Sequence, residues 1–95
     1  MPHYISLLKF TQKGLEAIKE SPARLEEAGK VFAAHGGSLQ HAWYTTGQHD
    51  LIVVTEFPDE EAYSRALLAT AYKGFVNGEN IRAFTIEEMK KLLGV

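Results

Sequence analysis

The chain has 95 residues, 45% hydrophobic and 23% charged, with a formal net charge of -2 and no cysteine. That balance is ordinary for one folded domain, and the scattered Lys and Arg give no basic footprint, so nucleic acid and anionic membrane are not expected partners. Without cysteine, disulfides, thiolate metal sites and cysteine nucleophiles are excluded.

His3 to Phe10 is nearly apolar on both faces and predicts a central strand, interrupted only by Ser6 and Lys9. Thr11-Gln12-Lys13-Gly14 is turn-like, and Leu15 and Ile18 mark a short helical turn before Ser21-Pro22. That pair is a cap followed by a first-turn proline. Leu25, Ala28, Val31 and Phe32 then recur at helical spacing until His35-Gly36-Gly37 stops the helix. Leu39 to Thr46 and Leu51 to Phe57 read as a hairpin about Gly47-Gln48-His49-Asp50. Pro58-Asp59-Glu60-Glu61 opens a helix with acidic residues where its dipole favours them, and Tyr63, Ala66, Leu67, Thr70 and Ala71 lie along its apolar side. Lys73 to Asn80 reads as a loop, with Gly74 to Gly78 a plain connector, and Tyr63, Tyr72 and Phe75 read as packing residues. Asn80 to Thr85 predicts a short fourth strand, and Thr85-Ile86-Glu87-Glu88 has the capping-box pattern of a last helix.

This order predicts a single domain over 1–95 of α+β class. The arrangement is a ferredoxin-like βαββαβ sandwich with an antiparallel-type four-stranded sheet and a short C-terminal helix. The N-terminus lacks a basic region followed by an apolar run, and nothing approaches the roughly 18 apolar residues of a membrane span. A cytoplasmic protein without membrane contact is expected.

The chain also resembles the GYD domain family along nearly its whole length. The resemblance rests on Phe10-Thr11-Gln12-Lys13-Gly14, Lys19-Glu20-Ser21-Pro22, Gly36-Gly37, Thr46-Gly47-Gln48-His49-Asp50, Glu56-Phe57-Pro58-Asp59 and Arg82-Ala83-Phe84-Thr85. His49 stands where the namesake Gly-x-Tyr-Asp turn has tyrosine. The family is of unknown function, so the resemblance implies a fold akin to dimeric α+β barrel proteins, and no particular activity.

Strand alternation divides the hairpin into two faces. Leu39, His41, Trp43, Thr45, Ile52, Val54 and Glu56 fall on one, and Gln40, Ala42, Tyr44, Leu51, Val53, Thr55 and Phe57 on the other. The second set suits the helix-packed core. The first is then an open face whose Trp43, Ile52 and Val54 call for a cover, which predicts a homo-oligomer. Reading the first and third strands as central, parallel neighbours brings Lys9 and Glu56 together at their C-terminal ends, with His41 and Arg82 entering at the same end. The cluster Lys9, His41, Glu56 and Arg82 beside Trp43 is a candidate small-molecule pocket, with His49 and Asp50 at its rim. The competing reading is an interfacial ion pair, and plain hairpin chemistry for the turn.

Two functions follow from that cluster. One is a small-molecule-binding or interaction module using the open face. The other is a cofactor-free enzyme of the dimeric α+β barrel type, monooxygenase- or isomerase-like, with His41 or Glu56 as base and Arg82 or Lys9 stabilising an anion. Four histidines raise a metal reading, but no i,i+4 pair supports one; the same parallel arrangement would bring only His3 and His49 close. No metal and no cofactor are assigned.

Overall fold

The computed structural model describes residues 1–71 and 73–95; Tyr72 lies outside the described residues. Strand β1 (His3–Phe10) leads into a short helix α1 (Gln12–Glu16), a 3-10 turn (Ile18–Glu20) and helix α2 (Ser21–Ala34). Strands β2 (Ser38–Tyr44) and β3 (Leu51–Glu56) follow, then α3 (Glu60–Ala71), β4 (Val76–Ala83) and α4 (Ile86–Leu93). The sheet order is β2-β3-β1-β4, and every neighbouring pair is antiparallel. This is the predicted α+β sandwich. Among the described residues, no helix is long and apolar enough to cross a membrane.

Local chemistry explains most of these boundaries. The Thr11 side chain accepts a bond from the Gly14 amide and caps α1. Proline in the first turn starts α2, and Thr85 and Glu88 form a reciprocal capping box on α4. Alternation is equally plain in β3, where Leu51, Val53 and Thr55 are buried while Ile52, Val54 and Glu56 are half-buried. Tyr4, Phe57 and Ala66 form the core, with Phe32, Ala62 and Tyr63 against it. The Tyr4 and Tyr63 rings stack with centroids 3.7 Å apart.

Three expectations are corrected. First, β1 and β3 are antiparallel, pairing His3 with Glu56 and Leu8 with Leu51. Each strand–helix–strand crossover makes β1 parallel to β2 and β3 parallel to β4, so the strand inserted between runs the other way. Lys9 and Glu56 therefore sit at opposite ends of the sheet, as do His3 and the turn holding His49. Second, β4 begins at Val76, four residues before Asn80, and pairs with β1 from Phe10↔Val76 to His3↔Ala83. Continuous backbone pairing with β1 outweighs the poor strand propensity of Asn77 and Gly78. Third, Leu39 pairs with buried Thr55 and His41 with Val54, a register shift that leaves Gln40 as an extra residue. This bulge turns Leu39 to the helix side, away from the open face.

Candidate functional site

The open face carries Ile5 and Leu7 from β1, Ile52 and Val54 from β3, His41 and Trp43 from β2, and Ile81 from β4. Antiparallel partners point the same way, so these side chains form one continuous apolar surface. It is uncovered in the single chain: Trp43 is 52% exposed and Ile81 40%. The His41 ring lies flat against Trp43, with centroids 5.2 Å apart and planes 11° apart. Helix α4 extends the same character, since Ile86, Met89, Leu92 and Leu93 are all exposed.

The predicted polar cluster is not assembled on this face. Lys9 is exposed at the end where β1 leaves the sheet, opposite Asn77 of β4. Glu56 is at the other end, with its Oε2 3.5 Å from His3 Nε2. His41 lies beside Val54, and among the described residues no hydrogen bond joins it to Glu56.

Arg82 pairs with Tyr4, on the helix-facing side of the sheet. Its guanidinium is already engaged. Nη1 donates to the carbonyls of His3 and Ala83, Nη2 is 4.0 Å from Glu88 Oε2, and the group sits 4.2 Å from the Phe84 ring centre. Glu88 is also 3.9 Å from His3 Nδ1, so His3, Glu56, Glu88 and Arg82 make a chain of close polar groups between α4 and the sheet end. The Thr85 backbone amide, helped by Arg82 and His3, holds the Glu88 carboxyl below its ordinary value. On the helix side, burial pushes the Tyr4 and Tyr63 phenols up.

At the hairpin turn, Asp50 works locally. Its Oδ2 accepts from the Phe10 amide at 3.0 Å, and its own amide donates to the Leu8 carbonyl at 2.8 Å. The His49 carbonyl accepts from Thr45 Oγ1 at 2.7 Å.

Sequence reasoning missed a cavity of about 410 Å³ on the other side of the sheet, between α2, α3 and the strands. It lies over Ser6 of β1 and Gly78 and Asn80 of β4, where Ser6 Oγ donates to Asn80 Oδ1 at 2.7 Å. Leu25, Phe32, Leu51 and Leu67 supply apolar walls, with Arg24 and Lys73 on its lining. The available signal was small or polar side chains at helix-facing positions of β1 and β4, where a filled core would have placed valine or isoleucine. Reading Lys73 to Asn80 as a loop hid it.

The family model described as the GYD domain matches residues 4–93 of this chain. The chain belongs to the GYD domain family. The Thermus thermophilus protein named glutamine synthetase and cystathionine beta-lyase binding protein is 28% identical over 90 residues; the match covers 94% of this chain and 95% of that protein. Among solved structures, FFRP-DM1 superposes on this GYD domain with a TM-score of 0.61 at 15% identity, covering 88% of this chain and 100% of the other. The structure of TTHA0845 from Thermus thermophilus gives 0.55 at 17% identity, covering 90% and 95%. At such identities the likeness is one of fold.

Proposed function

We propose that this GYD domain is a non-catalytic interaction module of the cytoplasm, assembled with a second copy through its open sheet face and presenting the assembly to a protein partner. The observation that carries the reading is the continuous apolar surface from Trp43 across Ile52, Val54, Ile5 and Leu7 to Ile81, its two ends exposed and the residues between them half-buried in the single chain. A small domain has little core of its own, and burying such a surface against a copy of itself supplies what the chain lacks. A two-fold contact is self-complementary, so one patch serves both partners. His41, stacked on Trp43, is then an interface residue. Glu56, facing His3, belongs to the chain of polar groups between α4 and the sheet end.

The relative named for binding glutamine synthetase and cystathionine beta-lyase supports a protein as the further partner. The exposed apolar side of α4, with Ile86 77% exposed, is a second surface available for that contact.

Light scattering on wild type and Trp43→Glu tests the assembly. The expected result is an oligomer for wild type and a folded monomer for the variant, with circular dichroism confirming the fold. A wild-type monomer at concentrations of tens of micromolar, a range in which specific homodimers are assembled, overturns the reading.

A further inference from the structure

Among the described residues, no side chain fills the helix-covered half of the sheet near Asn77. Interiors are packed to the density of organic crystals and leave few voids larger than a water molecule. A space of about 410 Å³ is instead in the size range of small-ligand sites. Assembly through the opposite face of the sheet does not account for it.

The chemistry of the lining is one-sided. Its body is apolar, and among the described residues it carries two cations, Arg24 and Lys73, and no carboxylate. Arg24 is held in place: Nη1 donates to the Ala17 carbonyl at 2.7 Å, and the guanidinium lies 4.1 Å from the centre of the Phe75 ring. Its Nη2 is shielded from solvent and has no hydrogen-bond partner among the described residues. A buried charged donor without an acceptor is costly, and an anionic oxygen is the partner that best relieves it. The carboxylates Glu20 and Glu27 line an adjoining groove that shares Arg24, Lys73 and Phe75 with the cavity, and Glu27 lies 3.3 Å from Lys30. The connection bearing Lys73 is anchored as well. Lys13 Nζ donates to the Lys73 carbonyl at 2.6 Å, and Thr11 donates to the carbonyls of Gly74 and Phe75.

One cationic end and an apolar remainder match a ligand with one anionic group and an apolar tail. We propose that this cavity binds a small monocarboxylic acid with an alkyl chain of medium length, its carboxylate held by Arg24 and Lys73 and its chain lying between Phe32 and Leu67. Phe75 positions the guanidinium, and the low floor formed by Ser6, Gly78 and Asn80 provides the depth. At Gly78 any side chain would collide with the Leu7 carbonyl, so the floor cannot be raised there without moving β1.

The test is titration of the full chain with sodium octanoate and, separately, with octan-1-ol, read by NMR at the methyl groups of Leu25, Val53 and Leu67. Octanoate should produce saturable shifts at these methyls. Arg24→Met should weaken octanoate by about tenfold or more, as loss of a charged hydrogen bond does, while leaving octanol affinity within about twofold. Ala28→Leu, which fills the space from α2, should abolish binding of both. If Arg24→Met fails to fold, Lys73→Met carries the same comparison. Absence of saturable octanoate shifts, shifts confined to the open face around Trp43, or unchanged octanoate affinity in the charge variants would overturn the proposal. None of these results bears on the sheet-face assembly, which the mass of Trp43→Glu reads separately.

Discussion

Asp50 joins the β2–β3 turn to the end of β1 by two bonds of opposite sense, its carboxylate accepting from Phe10 and its amide donating to Leu8. Removing the carboxylate leaves the Phe10 amide without its charged acceptor. Asp50→Ala should therefore cost about 1.5–3 kcal/mol, seen as a lower midpoint in urea unfolding with an unchanged slope, and Asp50→Asn should recover part of it. A local role for Asp50 was readable from its place in a glycine-bearing turn. Arg24 was not. Its guanidinium finds Phe75 through space, and an aromatic contact between residues so distant in sequence leaves no periodic trace in either segment.

Among the elements, α4 depends most visibly on pH. Glu88 both caps its own helix through Thr85 and faces His3 and Arg82, and its carboxyl titrates below the ordinary 4.5. A carboxyl whose folded value is depressed stabilises the folded state fully above the unfolded value, and loses that contribution as pH falls through the folded one. Amide exchange in α4 should therefore accelerate as pH is lowered from above 4.5, after correction for intrinsic rates and ahead of the amides of β1 and β3. Glu88→Gln should show the faster exchange already at neutral pH. The capping box itself was legible in Thr85-Ile86-Glu87-Glu88. The start of β4 was not, because Asn and Gly discourage strands in isolation, whereas here the partner strand decides.

For the whole molecule, the open face makes stability a property of concentration. If two copies unfold together, each tenfold rise in protein should raise Tm by about 3–5 °C for a chain of this size, and Trp43→Glu should show no such dependence. Differential scanning calorimetry across two decades of concentration reads this directly. The faces themselves were legible because side chains alternate, which is why β3 followed expectation at every position. Strand direction is different in kind, since no residue inside a strand encodes it; only the connections do. Once β1 and β3 run oppositely, Lys9 and Glu56 part, and the pocket drawn from them gives way to a pairing of Glu56 with His3.

The extra residue at Gln40 sets the phase of β2: before it Leu39 faces the helices, and after it His41 and Trp43 face outward. An insertion or deletion there would not merely shorten a strand. Loss of Gln40 would let β2 re-form as a regular ladder with Leu39 still opposite Thr55 and His41 still opposite Val54, so the bulge and its added twist would go while every side chain kept its face. Were the extra residue kept but drawn into regular pairing, one end of β2 would slip by a residue and exchange what lies inside with what is offered outside.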